Sequence, residues 1–211
     1  MELDDTRPND DAAALSASQS ATRSKILDAA ADLFYEKGVH AVGVNEIAAR
    51  AHASKLSMYR YFPSKTELVE SMLEEHSDHI HAWLLRKTAD APEGQARVLS
   101  VFDLLIAWFA QPGYRGCTVV NTVTDTRADP VISAIARRHL ARYREMLETR
   151  LTEAGITLPR TLARQLLLLI EGASVVSAIE GSPDSGADAR LAAEHLLTAT
   201  LSAQTTAPPP R

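Results

Sequence analysis

Residues 59–68 read YRYFPSKTEL, and this run contains the signals that end one helix and begin another. Proline lacks a backbone N–H, so Pro63 ends the helix before it. Ser64 and Glu67 have the spacing of a capping box, in which each side chain satisfies the backbone amide of the other residue. The run therefore predicts a short helix, a tight break, and a longer helix that continues towards Arg86.

Upstream of this run, the apolar pattern predicts three packed helices. Residues 22–37 place Ile26, Leu33 and Phe34 on one face at helical spacing. A second short helix begins near Val44, and a third covers residues 55–62 with Ser54 as its N-cap. Two short helices joined by a tight turn form a helix-turn-helix. Because each is too short to be stable alone, both must pack on the first helix.

The rest of the chain is also predicted to be helical, and the fold class is all-α. Apolar residues recur at helical spacing in residues 98–109, 130–151, 162–180 and 188–202. Residues 116–125 are rich in Thr and Val and remain ambiguous, but they are too short to build a sheet. The composition of residues 1–20 and of residues 204–211 predicts two disordered tails.

The composition excludes several classes of protein. The 211 residues include one cysteine, so an intrachain disulfide or a multi-cysteine zinc site is impossible. We find no nucleophile motif, metal-ligand spacing or glycine-rich phosphate loop, and so expect no enzyme, cofactor or metal. The acidic N-terminus does not resemble a secretory signal. Polar residues such as Glu171 within residues 162–179 argue against a membrane span. We therefore expect the protein in the cytoplasm.

Charge is distributed unevenly along the chain. The net charge is −5, yet residues 22–65 contain seven basic and four acidic residues. In the third helix, Met58 and Phe62 are the pair expected to face inward. The polar residues left outside suit DNA phosphates and base edges, although a solvated helix face is the alternative. These outward residues are Lys55, Ser57, Tyr59, Arg60 and Tyr61. The side chain of Asn45 and the backbone amides of Val44 and Asn45 could meet a phosphate as well.

Residues 22–73 resemble the DNA-binding domain of the TetR family of bacterial transcriptional regulators. The resemblance rests on residues 26–30 (ILDAA), residues 44–48 (VNEIA) and above all residues 59–68. It implies a homodimer with an N-terminal DNA-binding head and a C-terminal ligand-binding body. It also implies that Tyr59 and Lys65 contact phosphates. The groove positions it implies are Lys55, Ser57, Arg60 and Tyr61.

Three residues depart from the family pattern. Leu56 stands where a small residue is usual, His52 where the turn usually has glycine, and Val44 where threonine often opens the second helix. Leu56 either touches a thymine methyl group or simply shields the helix. These departures concern individual contacts rather than the domain.

The body offers a weaker pattern for a ligand pocket. Its aromatic and polar residues either line a pocket between helices or form ordinary core. The candidates are Trp83, Phe102, Trp108, Phe109, Tyr114, Cys117, Asn121 and Tyr143. Cys117 is either a redox sensor or a small buried side chain. His76, His79 and His81 lack a carboxylate pattern that would complete a metal site.

The helix at residues 162–180 is apolar on nearly every side, so it must be covered on every side. The last helix can cover only part of it, and a second copy of the chain is the simplest cover for the rest. The alternative is the central helix of a monomer. The predicted interface residues are Leu166, Leu169, Ile170, Leu191 and Leu196.

Together these patterns predict a ligand-responsive DNA-binding regulator, most simply a repressor that a small molecule releases. Its domains would be residues 21–66 for DNA and residues 67–203 for ligand binding and dimerisation. Two heads about 34–36 Å apart would bind a palindromic operator. The alternative is a helical protein-interaction dimer that has lost DNA binding, which Leu56 and the acidic N-terminus favour slightly.

Overall fold

The computed structural model of the protein describes residues 8–126 and 129–206. In these ranges the regular secondary structure is helical throughout, which confirms the predicted all-α fold. The helices are α1 (Pro8–Lys37), α2 (Val44–Arg50), α3 (Lys55–Tyr61), α4 (Lys65–Lys87), α5 (Gln95–Phe109), α6 (Thr118–Thr126), α7 (Pro130–Glu153), α8 (Pro159–Glu180) and α9 (Asp184–Thr206). They divide between two compact units, Met1–Leu73 and Glu74–Arg211, which we call the head and the body.

The head is built around the buried face of α1. Ile26 and Leu33 are almost fully buried there, together with Ile47 of α2 and Met58 of α3. An ion pair of 2.6 Å between Lys37 Nζ and Glu46 Oε1 fastens α2 to the end of α1. The two short helices thus gain their stability from packing on α1, as their length requires.

The turn between α2 and α3 contains a strained residue. His52 has φ of 52°, in the left-handed region that glycine adopts without penalty and other residues rarely enter. This conformation explains why a glycine suits this turn. The backbone N–H of Ala53 donates to the carbonyl of Ala48 at 2.9 Å and helps to hold the turn in place.

The head extends further along the chain than residue 66, because the first two turns of α4 are part of its core. Leu68, Val69, Met72 and Leu73 are all buried, and the division between the units follows Leu73. The start of α4 is capped by Ser64, whose hydroxyl accepts from the Glu67 N–H at 3.1 Å. The Glu67 carboxylate meets that same hydroxyl at 3.2 Å, so the predicted cap is present in a modified form.

The predicted disordered N-terminal tail is wrong for residues 8–20, because α1 begins at Pro8. Three consecutive alanines at 12–14 favour a helix, and extending a helix that is already anchored requires no new nucleus. A proline and two aspartates within the first four residues also suit a helix N-terminus. Residues 1–7 lie outside the described part of the chain.

The predicted C-terminal tail also begins too early, because α9 continues to Thr206. The Gln204 side chain holds this last turn. Its Oε1 accepts from the Thr157 N–H at 2.7 Å, and its Nε2 donates to the carbonyl of Gly155 at 3.1 Å. Residues 207–211 lie outside the described part of the chain.

The body packs α5, α7, α8 and α9 around one apolar core. Phe102, Leu147 and Leu166 are among its most deeply buried side chains. The ambiguous Thr- and Val-rich segment is α6, which buries Val119 and Thr122 and packs against α7.

Helix α8 is long and apolar enough to cross a membrane, with a mean hydropathy of 1.6. In the body, however, it packs between α7 and α9 and buries Leu162, Leu166 and Ile170 against them. Its apolar composition therefore serves a protein core on one side.

Candidate nucleic-acid interface and body interior

Helix α3 is positioned by its cap and by two inward side chains. The Ser54 hydroxyl accepts from the backbone N–H of Ser57 at 3.0 Å, which confirms the predicted N-cap. Met58 and Phe62 are each 2% exposed and anchor the helix in the head. These two residues fix the rotation of α3. The exposed side chains are then Lys55, Leu56, Tyr59 and Arg60, while Ser57 and Tyr61 are half-buried.

The outward side of α3 carries Lys55, Leu56, Tyr59 and Arg60, which we call the recognition face. Tyr59 is 43% exposed and Leu56 is 82% exposed. The ammonium of Lys55 lies 6.0 Å from the centre of the Tyr59 ring. The helix contains two basic residues and no acidic one, so the face is electropositive, as a phosphate-contacting surface requires.

Two further predicted residues of α3 have partners within the head. The Tyr61 hydroxyl accepts from Arg60 Nη2 at 2.8 Å, and the guanidinium of Arg60 lies 4.9 Å from the Tyr61 ring centre. This contact orients Arg60. The Ser57 hydroxyl lies 2.9 Å from that of Ser54, so Ser57 supports the cap.

Lys65 performs a structural task that the sequence did not reveal. Its Nζ donates to the carbonyls of Val39 and Val42 at 2.5 and 2.6 Å and lies 5.8 Å from the Phe34 ring. It thereby holds the loop between α1 and α2. A lysine ammonium has three hydrogens, so one remains for a phosphate.

The start of α2 has no side-chain cap, because Gly43 precedes it. The N–H groups of Glu46 and Ile47 turn back to the Gly43 carbonyl at 3.0 and 3.3 Å. Val44 is half-buried, and Asn45 is exposed with its amide in reach of a ligand. The predicted contacts of Val44 and Asn45 are compatible with this arrangement.

The body contains a group of polar side chains, of which the sequence predicted only Tyr114, Cys117 and Tyr143, as pocket candidates. Four segments contribute pairs of residues to it, and we call it the polar cluster. Its members are Ser77 and His81 of α4, Tyr114 and Cys117 ahead of α6, His139 and Tyr143 of α7, and Glu171 and Ser174 of α8.

Hydrogen bonds and ring contacts join the polar cluster. His139 Nδ1 lies 2.8 Å from the Ser77 hydroxyl, and its Nε2 lies 3.8 Å from the Cys117 sulfur. The His81 ring is 4.6 Å from that of Tyr143 between centres. On the other side, the hydroxyls of Tyr114 and Ser174 are 2.7 Å apart.

Burial keeps the two histidines and the thiol of the polar cluster uncharged at neutral pH. It lowers the pKa of His81 to about 4 and, with the charge of His81 adding, that of His139 to about 3. Burial, followed by the charge of Glu171, raises the pKa of Cys117 to about 12. Cys117 is therefore a thiol at neutral pH, which disfavours the redox-sensor interpretation. Burial also raises the pKa of Glu171 to about 7.

A groove of about 430 Å³ lies in the body beside this cluster. It is lined by His76, His79, Ile80, Trp83 and Trp108, and we call it the tryptophan groove. The Trp108 ring contacts that of Tyr114 at 5.6 Å, so the groove wall touches the polar cluster. Among the described residues, no group of histidine, cysteine and acidic side chains is placed to hold a metal ion.

The eight residues predicted for a pocket fall into separate places. Phe102, Phe109 and Tyr143 are buried in the core. Trp83 and Trp108 line the groove, and Tyr114 and Cys117 join the polar cluster, which also includes Tyr143. Asn121 is exposed, and its Nδ2 donates to the carbonyl of Arg115 at 2.7 Å. It therefore holds a turn and lines no described cavity.

The sequence missed Glu171, His81, His139, Ser77 and Ser174. A signal was present, since Glu171 interrupts an apolar helix and His139 falls on the apolar face of another. Their grouping depends on helices that are distant in sequence, and one helix pattern cannot show it.

The outer face of α8 is apolar and exposed. Leu168, Val175 and Ile179 follow helical spacing and are 72%, 45% and 79% exposed. We call them the apolar stripe, and Gly172 lies within it with open space around its α-carbon. Leu166 and Ile170, predicted for a dimer interface, lie in the body's own core and cannot contact a second copy. Leu169 and Leu196 are partly buried against that core, whereas Leu191 is 52% exposed.

A helix-turn-helix head with an exposed electropositive helix, joined to an all-helical body, defines a class of DNA-binding transcriptional regulators. The family model described as bacterial regulatory proteins, tetR family, matches residues 26–72. The solved structure of a TetR transcriptional regulator from Streptomyces avermitilis is 30% identical, with a TM-score of 0.73, over 86% of this chain and 97% of that one. The chain belongs to the TetR family, whose members bind DNA and are not enzymes.

Other relatives agree in fold or in the head. A TetR-family regulator from Streptomyces coelicolor is 24% identical, with a TM-score of 0.79, over 86% of this chain and 96% of that one. The HTH-type transcriptional activator FasR of Mycolicibacterium smegmatis is 38% identical over 87 residues. That match spans 39% of this chain and only 40% of FasR, so the similarity is limited to part of each protein.

Proposed function

We propose that the protein is a homodimeric cytoplasmic repressor that binds a palindromic DNA operator and leaves it when a small molecule binds in the body. The observation that carries the DNA step is the recognition face. Its charged and apolar groups are exposed, whereas Met58, which lies between them in the sequence, is buried. A helix presented in this way fits the major groove.

Within the head we assign roles by exposure and chemistry. Arg60, oriented by Tyr61, reads a base edge, and Lys55 and Tyr59 hold phosphates. Lys65 adds one phosphate contact with its remaining hydrogen. The other predicted contacts, Val44, Asn45 and Ser57, border this surface.

The apolar stripe supports dimerisation. Large apolar side chains in one exposed row mark an interaction surface, and Gly172 lets a second helix approach closely. We propose that α8 of one copy meets α8 of another about a two-fold axis, with Leu191 at the edge. This interface replaces the buried residues that the sequence suggested.

The ligand step rests on α4. This helix is continuous from the head, where Met72 and Leu73 are buried, to the body, where His76 and Trp83 line the tryptophan groove. A ligand that favours one position of these groove residues would bias the same helix in the head. The effect on DNA affinity cannot exceed the difference in the ligand's affinity for the two arrangements.

An electrophoretic mobility shift tests the DNA step. The full-length protein is titrated onto the promoter DNA next to its own gene at two salt concentrations. We expect a sequence-specific shift that weakens as salt rises. No shift at low salt would favour the protein-interaction alternative. A promoter–reporter assay then determines the sign of regulation, because loss of the gene raises expression only if the protein represses.

A further inference from the structure

One buried carboxylate oxygen in the body, Oε2 of Glu171, has no hydrogen-bond partner within the described part of the chain. Among the described residues, the buried side-chain atoms with no partner are Glu171 Oε2, His81 Nε2 and Arg150 Nε. Arg150 lies elsewhere, beside Thr88. Glu171 and His81 both belong to the polar cluster. An unpaired polar atom in a protein interior is costly and rare, so it calls for an explanation.

The neighbours of Glu171 offer it no positive charge. The imidazoles of His81 and His139 are neutral near pH 7, and Cys117 and Tyr143 hold their protons. Arg142 Nη1 reaches the cluster at the Ser77 hydroxyl, at 3.3 Å, and its ion pair is with Asp78, at 2.6 Å. Among the described residues, Glu171 Oε2 thus has no partner, and the aromatic rings of the cluster have faces that attract positive charge.

The tryptophan groove provides room for the rest of a ligand. Its volume of about 430 Å³ falls in the usual range for small-molecule sites, and two indole rings line it. No member of the polar cluster lines the groove, but two of the lining residues adjoin the cluster. Trp108 packs on Tyr114, whose hydroxyl is hydrogen-bonded to that of Ser174. Ser174 lies one helical turn from Glu171 on α8. His76 is close enough to His139 to affect its protonation.

We propose that the body binds a small organic cation that bears at least one N–H, with the cationic group on the Glu171 carboxylate and the apolar part against Trp83 and Trp108. The N–H supplies the missing donor to Oε2. The positive charge holds Glu171 ionised, and the resulting charge-assisted hydrogen bond is stronger than a neutral one. An anionic ligand would meet Glu171 with no compensating cation. This inference rests on the proposed function, since it names the chemistry of the ligand.

The test compares matched molecules that differ in one group. The benzyl, 2-phenylethyl and cyclohexylmethyl frameworks are each taken with a primary ammonium, a trimethylammonium, a hydroxyl and a carboxylate group. Binding to the full-length protein is measured by titration calorimetry at pH 7.5. We expect at least one primary ammonium compound to bind about 10-fold or more tightly than its three counterparts.

Two variants locate the effect. Glu171→Gln keeps the shape of the side chain and removes its charge, and it should abolish the preference for the ammonium group. Glu180→Gln, an exposed site at the end of the same helix, should keep the preference. Thermal unfolding of both variants verifies that they fold.

Three results would overturn the inference. These are alcohols or carboxylates that bind as tightly as the amines, an unchanged amine affinity in Glu171→Gln, or no binding of any primary amine at millimolar concentration. The last result, with an ordered water on Glu171 in a crystal structure, would assign the acceptor to solvent. The same compounds are added to the operator complex. Selective binding without release of DNA would support the inference while contradicting the release step of the proposed function.

Discussion

The head and the body arrange polarity in opposite ways. The head buries apolar residues such as Met58 and exposes Lys55 and Arg60. The body buries His139 and half-buries Glu171, whose Oε2 is enclosed, and it exposes Leu168 and Ile179. An exposed basic face suits a large anionic partner such as DNA. An interior of neutral polar groups suits a molecule small enough to enter, and an exposed apolar row suits another protein surface. The contrast supports the proposal that three surfaces serve three different partners.

The largest expected effect tests the apolar stripe. The double variant Leu168→Glu/Ile179→Glu places charges where a second copy would pack, and we expect monomers in sedimentation. Operator affinity should fall by about 100-fold or more, because two linked heads gain from their effective concentration. Leu158→Glu is the control, since Leu158 is 81% exposed but lies outside the stripe. A dimer that survives the double variant would move the interface elsewhere.

The next prediction tests the buried carboxyl group. The raised pKa of Glu171 means that the folded protein keeps a proton that the unfolded chain loses, so this group lowers stability as pH rises from about 4.5 to about 7. Glu171→Gln removes the dependence and should be more stable than wild type at pH 8 by roughly 2–3 kcal/mol. At pH 4 the two proteins should have the same free energy of unfolding. Denaturant unfolding at both pH values measures the difference.

This comparison isolates Glu171 from the buried histidines. His81 and His139 have lowered pKa values, so their contribution is complete above pH 6.5 and is lost as pH falls towards 4 and 3. Both proteins share that loss, and it cancels in their difference. Equal differences at pH 4 and pH 8 would show that Glu171 is not held in its neutral form.

Arg60→Ala tests whether the recognition face reads sequence. We expect a loss of about 1–3 kcal/mol in operator binding, with little loss on unrelated DNA. Fluorescence anisotropy on both duplexes measures this, with the exposed Arg86→Ala of the body as control. An equal loss on all sequences would make Arg60 a phosphate contact.

Lys65→Ala should have two smaller effects. Removing the ammonium leaves the carbonyls of Val39 and Val42 without their donor, so the head should lose about 1 kcal/mol of stability. It should also lower the slope of log affinity against log salt by about one unit per head. If the salt dependence of DNA affinity were unchanged while the head became less stable, the role of Lys65 would be structural only.

The smallest effect concerns Leu56. Its exposure of 82% shows that it covers no core, which favours contact with a thymine methyl group over shielding of the helix. A duplex selected by the protein is scanned with deoxyuridine in place of each thymidine. One position should lose about 0.5–1 kcal/mol with wild type and nothing with Leu56→Ala. Equal sensitivity of both proteins at every position would exclude this contact.

The sequence predicted the head well, because its signals are local. The Ser54 cap, the break at Pro63 and the inward pair Met58 and Phe62 depend on neighbours within one or two helical turns. The sequence also identified the family, through residues 59–68. It could not show that Lys65 holds the α1–α2 loop, since that contact joins residues 23 and 26 positions apart.

In the body, only the tertiary structure determined which side chains face inward and which of them meet. The sequence established that α8 is apolar on nearly every side, but the packing of α7 and α9 determined that Leu166 faces inward and Leu168 outward. In the same way, Ser77, Cys117, His139 and Glu171 lie far apart in the chain and share one interior because four segments converge. Helical periodicity fixes which residues lie on the same face of one helix. Which faces meet depends on the burial of apolar area summed over the whole unit, and no single segment contains that information.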